Sequence, residues 1–137
     1  MTIEDENVRK LKEAYRLWDE TKAGSIQVWF DLMAEDIHWN TIGDEGPYCC
    51  SKDEAKQYFN GFCADWEMNY YKANEFIAQG DRIVMLGSCS WRNRKTGKTL
   101  ETPKADFFKF KDGKIVEFFE FFDTQKTISA NTDCKLP

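Results

Sequence analysis

Histidine is nearly absent from this chain: His38 is the sole imidazole in 137 residues. A polyhistidine metal centre within one chain is therefore excluded. Proline is scarce, with three residues, and no Pro/Ser-rich linker, repeat or low-complexity tract interrupts the sequence, which reads as one domain over residues 1–137. No apolar run approaches the roughly 20 residues of a membrane helix. The stretch MTIEDENVRKLKEAYRLW is charged and lacks the apolar core of a signal peptide. Basic clusters are missing, the net charge is −5 and the pI is near 5.0, which argues against a nucleic-acid or anionic-membrane partner. Neither a phosphate-cradling glycine loop nor metal-ligand spacing occurs, so no cofactor is expected. Cys49, Cys50, Cys63, Cys89 and Cys134 are odd in number and read as reduced thiols of a cytoplasmic protein.

What the chain has in excess is aromatic surface: 15% of residues, within a hydrophobic fraction of 42%. That suffices for one substantial core. The excess peaks at Glu101 to Thr124, two predicted strands joined at Asp112-Gly113, a strong hairpin signal. Phe107, Phe108 and Phe110 precede the turn; Phe118, Phe119, Phe121 and Phe122 follow it. Lys104, Asp106, Glu117, Glu120 and Asp123 are threaded through the same strands, and buried charges cost free energy unless paired or hydrated.

The turn type decides which charges share a face. A two-residue turn pairs Lys111 with Lys114, sends Glu120 away from Asp106 and brings Asp123 in. A three-residue loop with Gly113 as a left-handed bulge sets Phe110 opposite Lys114, Glu120 opposite Lys104 and Phe118 opposite Asp106. The bulged loop is preferred because it avoids facing lysines. It groups Lys104, Asp106, Phe108, Phe110, Val116, Phe118, Glu120 and Phe122 on one face. Ala105, Phe107, Lys109, Ile115, Glu117, Phe119, Phe121 and Asp123 take the other.

Upstream, helical spacing of Val8, Leu11, Ala14, Tyr15 and Trp18 predicts a helix over 7–21. Gly24 breaks it, and Ser25 caps a second helix over 26–33 that turns Trp29, Phe30 and Met33 to one side. A strand is expected over 37–41 and a loop over 43–47. Ser51 and Glu54 form a capping-box signature for a helix bearing Ala55, Tyr58, Phe59, Phe62, Cys63 and Trp66. Period two then takes over, with strands over 68–79, 82–94, 99–111 and 114–124. Three helices ahead of an antiparallel meander, plus one early strand, indicate an α+β fold with helices covering one sheet face. Trp29, Phe30, Phe59, Phe62, Trp66, Phe76, Met85 and Trp91 read as core or pocket wall, suited to an apolar or aromatic ligand. Phe107, Phe119 and Phe121 suit a homodimer interface better than exposure to water.

The order of elements and several local motifs resemble the nuclear-transport-factor-2-like (NTF2-like) superfamily. They resemble in particular its SnoaL-like group of polyketide cyclases, ketosteroid isomerases and limonene-epoxide hydrolases. The resembling pieces are AYRLW, AEDIHW, GDRIVMLGS, the TGK turn and FKFKDGKIVEFFEFFDT. The resemblance implies a cystatin-like, cone-shaped barrel: three N-terminal helices packed on a curved, mainly antiparallel sheet around an apolar cavity, commonly dimeric. Fold alone does not settle function.

By the same resemblance, PKADFF places Asp106 where isomerases keep a protonated aspartate that donates to an oxyanion, and Tyr15 matches their first-helix tyrosine. The isomerase base falls near Asn40 or Thr41, neither of which takes a proton at neutral pH. In the epoxide hydrolases, the corresponding places hold Lys104 with Asp106, Glu120, and His38 with Asn40. Asp106 is then acid or oxyanion donor, Glu120 or His38 the base, and Asn40 and Tyr15 orient substrate or water. Lys104 tunes the carboxylates, and Trp18, Phe59, Phe62, Phe108, Phe118 and Phe122 line the pocket. Plainer alternatives stay open: a hydrated ion-pair cluster at Lys104, Asp106 and Glu120, a satisfied strand histidine at His38, and core packing by Tyr15 and Trp18. Two functions follow: a cofactor-independent acid–base enzyme on a small apolar molecule (isomerase, cyclase, dehydratase or hydrolase), or a non-catalytic ligand-binding or assembly module.

Overall fold

The structure is a computed structural model that describes residues 1–41 and 48–132. The loop expected over 43–47 and Cys134 lie outside those residues. Helix α1 (Ile3–Glu20) forms because Leu11, Ala14, Tyr15 and Trp18 bury one stripe at helical spacing. It starts earlier than expected because Thr2 and Asp5 make a reciprocal capping box. The chain leaves it through Lys22 and Ala23, both left-handed with φ 51° and 71°, rather than through Gly24. Helix α2 (Ile26–Leu32) has Ser25 at its N-cap without a side-chain cap bond. Strand β1 (Met33–Thr41) follows directly and pairs with β2 (Tyr48–Cys49). Helix α3 (Lys52–Asp65) is capped by the Ser51 hydroxyl oxygen, which accepts from the Glu54 N–H at 3.2 Å. Strands β3 (Trp66–Gln79), β4 (Arg82–Asn93), β5 (Thr99–Lys111) and β6 (Lys114–Phe122) precede a last helix, α4 (Thr124–Ala130).

The α+β class is as expected, but the helices are not three N-terminal ones. α3 lies between β2 and β3, and α4 follows the last strand. The sheet runs β2-β1-β6-β5-β4-β3, with β1 and β6 parallel and the other neighbours antiparallel. It curves over the core without closing into the expected barrel. At edge strand β3 and the turn that follows it, α1 side chains accept two of the outward amides. Asp19 Oδ1 accepts from the Tyr71 N–H at 2.8 Å, and Glu4 Oε1 accepts from the Gly80 N–H at 2.6 Å. Side chains thus blunt the edge.

The 101–124 hairpin corrects the preferred turn. Asp112 and Gly113 both have positive φ (52° and 77°), as a two-residue primed turn requires. Lys111 does face Lys114; both are exposed, so water screens the pair. The bulge occurs further along β6: Phe110 pairs with Ile115, then Lys109 with Glu117, leaving Val116 extra. Ile115 therefore joins Phe110 in the core instead of facing outward. Partners also shift, so that Asp106 faces Glu120 and Lys104 faces Phe122. A shift of two residues preserves side-chain parity, and Lys104, Asp106, Phe108, Phe118, Glu120 and Phe122 still share one face. Asp123 takes no part; it caps α4, accepting from the Lys126 N–H at 3.1 Å.

Gly87 pairs with Lys104 across β4 and β5, beside the β3 bulge between Ala73 and Glu75. A Cβ there meets the Lys72 carbonyl oxygen at 1.9 Å. Gly87→Ala is expected to destabilise the protein by roughly 3 kcal/mol because backbone must move. Gly97→Ala, with φ +74° but open space around it, is expected to cost about 1 kcal/mol from conformation alone. Urea denaturation of both variants measures the difference, and equal losses contradict the close strand approach.

Candidate active site

Asp106 and Glu120 stand directly opposite each other on β5 and β6, and facing like charges repel. Lys104, two residues earlier on the same face of β5, resolves the conflict. Its Nζ lies 2.7 Å from Asp106 Oδ1 and 3.1 Å from Glu120 Oε1. The Tyr15 hydroxyl donates to Asp106 Oδ2 at 2.5 Å, and the Tyr71 hydroxyl donates to the same oxygen at 2.9 Å. Lys104 Nζ also donates to the Tyr71 oxygen at 3.0 Å. Asp106, 2% exposed, thus accepts three hydrogen bonds. This arrangement lets Asp106 anchor Lys104 and the two tyrosines.

The cluster occupies one region of a cavity of about 440 Å³. All five tryptophans of the chain, Trp18, Trp29, Trp39, Trp66 and Trp91, line it. Trp39 stacks on Phe118 with centroids 3.7 Å apart and meets Phe59 edge-on at 4.4 Å. Phe62 meets Trp91 edge-on at 4.9 Å. Such walls exclude water and strengthen the electrostatics of the charged group beside them.

The structure brings together Tyr15, Trp18, Phe59, Phe62, Lys104, Asp106, Phe108, Phe118, Glu120 and Phe122 along the cavity. Two expected residues are elsewhere. His38 is exposed on β1, where its neighbours Ile37 and Trp39 point inward; strand alternation turns the imidazole to the outer face. Asn40 falls on that same outer face, paired with Tyr48 and Phe119. The histidine base and the water-positioning amide are therefore removed from the site. Tyr71 was missed. Plain alternation from the buried Trp66 and Met68 puts Tyr70 inside, but a β3 bulge between Met68 and Tyr70 reverses it. The adjacent Tyr70-Tyr71 pair was the available signal. Cys89, buried on the wall, was also missed.

Burial, then the nearby charge of Asp106, holds the Tyr15 and Tyr71 hydroxyls well above their ordinary pKa of 10.0. Burial pushes the Cys89 thiol up from 9.0 to about 11. For Lys104, burial favours the neutral amine, but Asp106 and Glu120 outweigh it and keep the ammonium well above its ordinary 10.5. All four groups keep protons in the folded chain past the pH at which the unfolded chain sheds them. The folded state then binds more protons, so stability falls as pH rises. The contribution of these groups is expected to be intact below pH 9.0, the lowest of those ordinary values, and to decline steeply above pH 10.0 as Tyr and Lys join. Tyr15→Phe should flatten the decline, and thermal melts across alkaline pH read both slopes; parallel slopes dismiss the tyrosine from the network.

Lys104→Met should cost about 3–5 kcal/mol, because it leaves the buried Asp106 carboxylate facing the half-buried Glu120 carboxylate. Adding Glu120→Gln should recover part of that loss in urea denaturation. No recovery contradicts the bridging role of the ammonium.

No curated protein matches the sequence. Among solved structures, an NTF2-like protein of unknown function from Burkholderia pseudomallei superposes with TM-score 0.80 at 23% identity, covering 92% of this chain and 97% of its own. An NTF2-like protein from Burkholderia thailandensis gives 0.78 at 24% identity, over 96% and 99%. TerC, co-crystallised with polyporic acid, gives 0.76 at 20% identity, over 90% and 96%. At these identities the likeness is one of fold. The sequence pattern of the SnoaL-like domain matches residues 11–118, which includes α2, α3, the four long strands to Phe118, and Tyr15, Tyr71, Lys104 and Asp106. The chain belongs to the SnoaL-like domain family.

Proposed function

We propose that this SnoaL-like protein is a cofactor-independent acid–base enzyme that moves a proton on a small, apolar, carbonyl-bearing molecule held in the aromatic cavity. The observation that carries this reading is the pairing of Glu120 with Lys104 on the wall of that cavity. Asp106 has both oxygens engaged by Tyr15, Tyr71 and Lys104. Glu120 is the more accessible carboxylate, with a side chain 14% exposed against 2% for Asp106, and serves as base. It takes a proton from the carbon beside the carbonyl. Protonation of Glu120 releases the Lys104 N–H that it held, and the ammonium turns that hydrogen to the oxyanion developing as the proton leaves. Asp106 holds Lys104 in place, directly and through the Tyr71 hydroxyl. Isomerase or cyclase chemistry fits this set better than epoxide hydrolysis, because Asn40, the expected water-positioning amide, faces away. The co-crystallisation of TerC with polyporic acid supports a ligand-binding use of this fold.

Proton abstraction is readable without the natural substrate. In D₂O, the wild-type protein should catalyse deuterium exchange beside the carbonyl of at least one member of a panel of neutral cyclic ketones, followed by NMR. Glu120→Gln should slow it about 100-fold or more, and Asp106→Asn by a similar factor through misplaced donors. Ketone binding without exchange above buffer points to the non-catalytic binding module and defeats the enzyme reading.

We further infer that two copies pair through the outer sheet face. Cross-strand rows there place Ile77, Val84, Phe107 and Phe119 side by side, and Leu86 and Phe121 flank Ala105. Ile77, Leu86 and Phe121 are 53%, 36% and 47% exposed, an apolar patch that pairing would remove from water. Sedimentation should give a dimer, and Phe121→Lys with Leu86→Glu a monomer. A monomeric wild type defeats this assignment.

A further inference from the structure

Helix α3 carries a glycine that its packing does not require. Glycine inside a helix loses more conformational freedom on folding than any other residue. Close approach usually justifies it, yet a Cβ built on Gly61 meets nothing within 4 Å. Gly61 lines the cavity, as do Gln57 and Asp65, four residues to either side on the same helix face. All three are exposed, whereas the tryptophans on the same cavity wall are at most 7% exposed. An exposed residue that lines a cavity marks where the cavity opens.

The other rim is α4 and its C-cap, through Thr127 and Asn131. That rim is pinned by polar contacts. Asn93 Nδ2 donates to Asn131 Oδ1 at 2.8 Å, Thr96 Oγ1 donates to the Ala130 carbonyl at 2.6 Å, and Lys126 Nζ donates to the Glu101 carbonyl at 2.8 Å. Asn93 is itself buried and holds the 93–98 turn, accepting from the Lys95 and Thr96 N–H groups at 3.0 Å. With α4 held, the width of the opening is set from α3, whose central rim position has no side chain.

We propose that Gly61 is the threshold of the pocket: ligands enter between α3 and α4 over this residue, and its missing side chain sets the largest molecule that passes. The inference rests on the cavity being a ligand site, as proposed above, but concerns its route of entry and size limit.

Tryptophan emission tests it directly, since every tryptophan lines the cavity and is buried. Acrylamide, a small neutral quencher, reports access through the mouth. Gly61→Phe, or Gly61→Leu should the larger ring unfold α3, is expected to lower the quenching constant by about two-fold or more by obstructing entry. Ala64→Phe, on an exposed α3 position that does not line the cavity, should leave quenching unchanged. Gly61→Ala should also leave it unchanged, and should raise the melting temperature by about 3 °C from helix propensity. Quenching in folded Gly61→Phe or Gly61→Leu equal to wild type overturns the proposal, as does a wild type already as poorly quenched as those variants. Normal quenching changes without deuterium exchange discard the enzyme reading and leave the threshold standing; the converse result does the reverse.

Discussion

A buried ammonium must be answered by charge, and at Lys104 the whole molecule is arranged to supply it. Its side chain is 8% exposed, so water cannot replace the hydration it loses. Two carboxylates do so, and each depends on a different part of the fold. Asp106 comes from the same strand, two residues on; Glu120 comes from β6 and is aligned by the Val116 bulge. Tyr15 reaches Asp106 from α1, and Tyr71 reaches it from β3. Ion pairs of this kind add little net stability over an apolar packing of similar volume. Their place at the wall of a cavity accords with the acid–base role proposed for them.

Strand bulges are the device that delivers these groups. An extra residue reverses which side chains face inward from that point on. In β3 the bulge after Met68 turns Tyr71 inside and Tyr70 toward Glu101 on the other face. The bulge at Val116 lets Ile115 enter the core and Phe118, Glu120 and Phe122 enter the cavity. Without it, alternation from Ile115 would turn Glu117, Phe119 and Phe121 inward instead. The same irregularities bend the sheet over its helices, while Asp19 satisfies the Tyr71 amide at the β3 edge and Glu4 the Gly80 amide in the turn beyond it. Curvature and site composition therefore share one cause.

Much of the fold was legible from periodicity. Helical spacing marked the buried stripe of α1, and alternation marked β5 over its full observed length, Thr99–Lys111. The aromatic walls at Trp18, Phe59, Phe62, Phe108, Phe118 and Phe122 were readable because such residues have few places to go other than a core or a cavity. Strand β2 was missed because two residues carry no period. Helix α4 was missed because it buries only Ala130 and is held mainly by polar contacts, so it shows no apolar stripe. His38 was attractive for its chemistry alone, and strand parity sends it to the outer face.

Composition and period alone specify the class of fold, the aromatic cavity wall and the placing of Lys104 and Asp106 together, because i and i+2 on a strand share a face in any register. The remaining features arise only from docked elements. Whether Glu120 or Glu117 turned inward depended on a bulge at Val116. At that bulge Phe110 pairs with Ile115 and Phe108 with Phe118, a register that the turn residues alone do not reveal. Whether Tyr71 joined Tyr15 on Asp106 depended on the bulge in β3 and on the Asp19 contact from α1. Distances of about 3 Å between charged and phenolic groups from four elements arise only when all of those elements have docked, since hydrogen bonding demands such geometry and local pattern cannot encode it.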